Sequence, residues 1–303
     1  MAVYKIPNPE KRMLPRAHYW KAYINHRVLR RVIQIGVLAF IVFIAAQHVI
    51  VGEDGAAATA SAEAFCPFGG LETLFKYIST DGSFVSHTHL SNLVLFAAVM
   101  AVAFFFRSAF CGWICPLGFI QDLFSNLGKV LQKRVPGVRR MFASLKQRGA
   151  RLAVLDRYLR YLKYLVLVWA VGGSAYFGFM VFRDVDPWSA LLSVAEFSFT
   201  PGVVVLLVTL VASFFIERPW CRYACPLGAV SGLVGKFSPT YLKRDADTCI
   251  SCKLCTKACP MGLKVDTMNT IKSVDCVSCL ECVSVCPREG ALQVKFGVPF
   301  NQK

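Results

Sequence analysis

Four apolar runs stand out along the chain, Val32–Val51, Leu90–Phe106, Tyr164–Phe182 and Phe197–Ile216. Each approaches the ~20 residues that a helix needs to cross a hydrocarbon core of ~30 Å. The pattern therefore predicts four membrane-spanning helices. Gly and Ser in the last two runs, and Pro201 in the last, are tolerated in such helices because neighbouring helices satisfy the freed backbone groups. Residues 244–296 read differently, with short loops, few large apolar side chains and eight cysteines.

Composition agrees with that pattern: 55% of the 303 residues are hydrophobic and the mean hydropathy is +0.50, which argues against a purely soluble protein. The charge then orients the runs. Residues 1–31 hold eight Lys and Arg, 107–163 hold twelve and 218–303 hold twelve, whereas 52–89 and 183–200 hold one each, Lys76 and Arg183. By the positive-inside rule both termini and the central loop are expected in the cytoplasm, in a multi-pass protein of the bacterial inner membrane. The net charge of +16 follows this asymmetry, so nucleic-acid binding is not expected. The stretch "GAAATASAEA" resembles a signal-cleavage site, but the run before it exceeds the ~7–15 residues of a signal core, so cleavage is not expected.

From 249 the chain reads "CISCKLCTKACP" and from 276 "CVSCLECVSVCP". Each is the C-x2-C-x2-C-x3-C-P run of bacterial ferredoxins, in which three cysteines hold one [4Fe–4S] cluster and the fourth crosses to the other. One set is therefore expected to be Cys249, Cys252, Cys255 and Cys286, and the other Cys276, Cys279, Cys282 and Cys259. Zinc is the alternative for paired C-x2-C units, but two matching runs that each close on Cys-Pro favour iron and sulfur. Disulfides do not suit a segment on the reducing side.

A second doubling lies upstream. "RSAFCGWICPLG" after the second run and "RPWCRYACPLG" after the fourth align Cys111 with Cys221 and Cys115 with Cys225. "CPFGGLETL" and "DPWSALLSV" align likewise on the outer side. Two copies inserted in the same direction are related by an axis along the membrane normal, which would bring the two C-x3-C motifs together. The spacing puts both thiols of a motif on one side of a helical turn. The four define a candidate redox or metal centre: a further iron–sulfur cluster, a dithiol pair or another group. Plain packing of small apolar cysteines at helix ends is the competing explanation.

Among the five histidines, His48 is the candidate proton acceptor for a quinol, because it lies beside Gln47 inside an apolar run, where polar side chains are expensive. His18 and His26 lie in the basic arm, and His87 and His89 near the outer end of the second run, where a haem shared with His48 is a lesser alternative. Cys66, whose counterpart in the second copy is Asp186, is a weaker candidate ligand near the outer face. The arm "AHYWKAYINHRVLRR" suits a membrane-surface anchor.

These motifs together resemble the membrane-bound polyferredoxins, specifically the NapH-type quinol dehydrogenase family, with the membrane part of NosR-type proteins as relatives. The resemblance covers residues 32–290. It implies a subunit that passes electrons from membrane quinol, through iron–sulfur clusters, towards an extracytoplasmic reductase, with partner redox subunits of ferredoxin-like, cytochrome or flavin type. No outer flavin-binding domain precedes the first run, so a covalent flavin is not expected. A redox accessory factor that reduces metal or thiols during cofactor assembly is the alternative function.

The expected fold is a mainly α membrane protein with a four-transmembrane-helix core of two parallel two-helix repeats, plus a C-terminal α+β bacterial ferredoxin-like domain with two [4Fe–4S] clusters. Its expected segments are a basic arm (1–31), a first helix pair (32–106), a cytoplasmic CGWICPLG segment with a basic loop (107–163), a second helix pair (164–217), a CRYACPLG segment (218–243) and the ferredoxin domain with its tail (244–303).

Overall fold

Two arginines in the left-handed region and a series of prolines decide where the apolar runs break. The structure is a computed structural model describing residues 16–51, 68–71, 73–74, 90–138, 140, 149–177, 181–195 and 200–297. A long helix α1 (Arg16–Val51) is followed by α2 (Leu90–Phe106). Arg107, at φ 61°, ends α2. A short α3 (Ala109–Trp113) follows, and Pro116 then starts α4 (Pro116–Arg134). Helices α5 (Gly149–Leu159), α6 (Leu162–Phe177) and α7 (Pro187–Ala195) lead to a second copy of the same design. There α8 (Pro201–Ser213) precedes Arg218 at φ 48°, α9 (Pro219–Tyr223) and α10 (Pro226–Gly235). Proline is suited to the first turn of these helices because its missing N–H would have no intrahelical partner there.

This corrects the expected four-transmembrane-helix core. Among the described residues, no helix is long and apolar enough to cross a membrane. Helices α2, α6 and α8 have 17, 16 and 13 residues, or roughly 26, 24 and 20 Å at ~1.5 Å per residue, against a core of ~30 Å. The apolar runs count residues on both sides of a break as one. Tyr164–Phe182 outlasts its helix, which ends at Phe177, and among the described residues Phe197–Ile216 contains only the short α8. In α1, the turn that opens the apolar run buries Gln34 against the motif loop, where its side chain donates to the Gly112 carbonyl (3.1 Å).

The helices pack crosswise: α2 lies against α10, α8 against α4 and α7, and α6 against α10. Each copy thus supports the helix that follows the other copy's cysteine motif. One buried cluster joins Phe68, Phe96, Val99, Ala170, Phe182 and Leu227, and another joins Leu117, Ala190, Val203 and Leu206. A Cβ on Gly128 would lie 2.5 Å from the Phe214 carbonyl oxygen, so the close approach of α4 to the end of α8 needs glycine there. Asp186 starts α7, its carboxylate accepting the Trp188 N–H at 3.1 Å, a cap worth ~1 kcal/mol.

The C-terminal unit is a three-stranded antiparallel sheet, β1 (Thr240–Arg244), β2 (Thr270–Ile271) and β3 (Leu292–Phe296), in the order β2-β1-β3. Leu242 sits opposite Ile271 on one side and Val294 on the other. Two four-residue helices, α11 (Leu254–Lys257) and α12 (Glu281–Ser284), cover it. Arg107 donates to the carbonyls of Ile271 (2.8 Å) and Ser273 (2.7 Å), while Arg160 and Lys163 both pair with Asp275. Burial alone would raise the Asp275 pKa, but those two cations hold it below the usual carboxylate range. Its stabilising contribution is complete above the unfolded value of ~3.9 and is lost as pH falls through the lower folded value.

Candidate redox centres

The two C-x2-C-x2-C loops of the C-terminal unit share one backbone pattern. Ser251 and Lys253 in the first, and Ser278 and Leu280 in the second, are left-handed, with φ of 53°, 60°, 46° and 57°. Such a conformation costs roughly 1–2 kcal/mol per non-glycine residue, and it clusters where the surroundings over-determine it. Here it coils each loop so that its three cysteines line one cavity, and sulfurs of the unit lie near backbone amides. The Ser251 N–H lies 3.4 Å from Cys249 Sγ, and the Leu263 N–H lies 3.4 Å from Cys259 Sγ. Cys255 and Cys282, on α11 and α12, are each 8% exposed.

Two small cavities result. Cys249, Cys252, Cys255 and Cys286 line one. Cys259, Cys276, Cys279 and Cys282 line the other. Each cavity thus takes three thiols from one loop and the fourth from the other. Four thiols with amide donors form a donor set suited to a cubane iron–sulfur cluster.

The upstream motifs fold alike at the turn between their cysteines. The N–H groups of Ile114 and Cys115 both reach the Phe110 carbonyl, and those of Ala224 and Cys225 both reach the Trp220 carbonyl. Cys115 and Cys225 are the N-caps of α4 and α10. The Gly228 N–H lies 3.3 Å from Cys225 Sγ. The crosswise packing brings the four thiols together: burial first, and then the neighbouring thiols, raise the pKa of Cys111 to about 11 and push Cys115 and Cys225 up as well. Helices α4 and α10 exchange polar contacts between the copies. Gln121 on α4 donates to Cys221 Sγ at 3.5 Å, and Ser231 on α10 lies 4.0 Å from Cys111 Sγ.

A buried charge cluster sits against these thiols. Arg218, 0% exposed, donates twice to the Asp122 carboxylate (2.7 Å each) and once to the Cys111 carbonyl (2.9 Å). Arg30 pairs with the same carboxylate at 2.6 Å and donates to the Gly112 carbonyl at 2.9 Å. Burial alone would raise the Asp122 pKa, but Arg218 and Arg30 hold it below the usual range. Two guanidinium groups around one carboxylate leave a net positive charge beside four sulfurs. Such a charge favours thiolates and an anionic centre.

This four-thiol site abuts the second cavity. A Cβ on Gly112 would lie 2.3 Å from the Val277 carbonyl oxygen and 3.3 Å from Cys279 Cα, and the Trp113 indole donates to the Ser278 carbonyl at 3.0 Å. Cys111 belongs to the same buried cluster as Cys276, Cys279 and Cys282. Gly112→Val is therefore expected to force the C-terminal unit away from the helices, at a cost of about 1–3 kcal/mol. Denaturant unfolding followed by the tryptophan signal measures this, and an unchanged midpoint would contradict the close approach.

Not all expected site residues fall here. Cys66, His87 and His89 lie outside the described residues, and so do the side chains of His18 and His48. His26 is exposed on α1. Asp122, Gln121, Ser231 and Arg30 are additions from the structure. An arginine stands three or four residues before the first cysteine of each motif, but only Arg218 joins the charge cluster, whereas Arg107 reaches the Ile271 and Ser273 carbonyls.

Comparison with known proteins agrees with this geometry. The family described as a 4Fe-4S binding domain matches residues 88–134 and again 198–244, and that described as a 4Fe-4S dicluster domain matches 241–287. The fold and the thiol sites define an iron–sulfur electron-transfer protein. The chain is 30% identical over 297 residues to the putative electron transport protein YccM of Escherichia coli (strain K12), covering 94% of this chain and 80% of that protein. It is 31% identical to the ferredoxin-type protein NapH of Haemophilus influenzae, over 55% of this chain and 51% of NapH. It is 30% identical to the regulatory protein NosR of Pseudomonas aeruginosa, over 50% of this chain and 20% of NosR. The chain belongs to the NapH-type family of ferredoxin-like proteins, which has NosR-type relatives. No solved structure matches it.

Proposed function

We propose that this chain carries electrons between membrane quinol and partner redox proteins through three iron–sulfur clusters. The observation that carries this proposal is the contiguity of three four-thiol sites, with the cavity of Cys259, Cys276, Cys279 and Cys282 in the middle. Cys249, Cys252, Cys255 and Cys286 would hold one cluster, the middle set a second, and Cys111, Cys115, Cys221 and Cys225 a third. Each such cluster, when bound, accepts and donates one electron at a time. The cysteines fix the spacing of these carriers. Arg218, Arg30 and the amides at sulfur favour the reduced, more negative state.

The chain is placed at the cytoplasmic face of a membrane. Supporting this are the excess of Lys and Arg on one set of segments and the apolar side chains left exposed on α2, α6 and α8, such as Val94, Val168, Val204 and Val208. The test is anaerobic mixing of the purified protein with menadiol. Bleaching of the visible cluster absorbance within the mixing experiment is expected. Full bleaching by dithionite with none by menadiol would reject quinol as the donor.

A further inference from the structure

An open cavity lies between the end of α2, the first cysteine motif and the sheet of the C-terminal unit. Its walls include Phe106, Trp113 and Tyr241, with Arg107, Ser278 and Leu280 beside them. Three aromatic side chains around an open slot suit a flat ring, because ring faces and edges gain from stacked and T-shaped contacts. Arg107 is 3% exposed, its terminal nitrogens are engaged by the Ile271 and Ser273 carbonyls, and its Nε–H has no acceptor. A buried donor without a partner costs about 1–3 kcal/mol, and a ligand oxygen would satisfy it. Exposed Phe104 and Phe105 continue the apolar surface beyond Phe106.

The place of the cavity in the chain gives it a second property. Trp113 lies between Cys111 and Cys115, and Ser278 and Leu280 flank Cys279. A ring in the slot would touch the backbone loops of two four-thiol sites at once. We propose that this cavity binds the ring of the quinol, with an oxygen directed at Arg107; this rests on the quinol function proposed above. On oxidation both quinol O–H bonds break, two protons leave to water at the open mouth, and the ring becomes a quinone. Its two electrons leave singly, one towards the Cys111, Cys115, Cys221, Cys225 site and one towards the Cys259, Cys276, Cys279, Cys282 site. Two one-electron acceptors beside a two-electron donor keep the radical intermediate short-lived.

Val294 also lines the cavity, is 47% exposed and is not one of the residues lining the two cysteine cavities. Val294→Trp should fill the slot. Menadione binding to the oxidised protein, followed by calorimetry, is expected to weaken at least about tenfold, or ~1.4 kcal/mol, with iron content and dithionite-reduced spectra unchanged. In parallel, an azido-quinone should crosslink to peptides holding Trp113, Tyr241 or Val294 in the unmodified protein, a readout that needs no variant to fold. Normal menadione binding by Val294→Trp, or crosslinks confined to other peptides, would overturn this site while leaving quinol as the donor. A wild-type protein that neither binds menadione nor is reduced by menadiol would overturn both.

Discussion

Cys286→Ala is expected to remove four iron atoms per chain and the cluster held by Cys249, Cys252 and Cys255, although Cys286 lies in the other loop. The cavity that Cys286 lines contains the first loop's three thiols, and a cubane with three protein thiolates loses the ligand that keeps it closed. Cys259→Ala should do the reverse, emptying the site of Cys276, Cys279 and Cys282. With one carrier gone, electron delivery to an artificial acceptor should fall at least about tenfold, since each tenfold represents only ~1.4 kcal/mol of barrier. Anaerobic iron analysis, together with electron paramagnetic resonance of the dithionite-reduced variants, distinguishes the two. If Cys286→Ala instead abolished the signal of the second loop, the crossed arrangement would be wrong.

Arg218→Met is expected to be the most destabilising single change in the helical part. The guanidinium is fully buried, holds both oxygens of Asp122 and supports the Cys111 carbonyl. Removing one partner from a buried ion pair typically costs about 3–5 kcal/mol, because the other charge stays behind. Arg30 still pairs with Asp122, which places the expected loss near the lower end, about 3 kcal/mol. Arg218→Lys should recover only part, since an ammonium cannot match the two-point geometry. Combining Arg218→Met with Asp122→Leu should lose less than the sum of the two single changes. Denaturant midpoints measure all four variants, Asp122→Leu alone included. A loss below about 1 kcal/mol for Arg218→Met would mean that the charge cluster is not the clamp between the two motifs.

The cysteine groupings were legible because cluster chemistry writes itself into spacing. The two Cys-Pro runs at 249 and 276 line two cavities in crossed sets, and the doubled C-x3-C motifs fold into matching turns that meet. The helices were less legible, because hydropathy counts apolar residues without saying where the backbone turns. Pro201 at the start of α8 divides a run that looks continuous, and Arg107 and Arg218 in the left-handed region turn the chain just past the second and fourth runs. What holds the four upstream thiols was hidden for another reason. Asp122 meets Arg218 across 96 residues and Arg30 across 92, and Gln121 meets Cys221 across 100, so no local pattern joins them. Gly112 gave no local signal either: its lack of a side chain matters only because the Val277 carbonyl arrives from 165 residues away.

The central claim is that three contiguous four-thiol sites each hold a cubane iron–sulfur cluster. The most direct test is the iron and acid-labile sulfide content of anaerobically purified protein, with its count of reducible paramagnetic centres. Three clusters predict about twelve iron atoms and twelve sulfides per chain, falling to about eight of each when Cys111 and Cys221 are both changed to Ser. Stoichiometric zinc with little iron, or an unmodified protein that already stops at eight and is unaffected by the double change, would contradict it.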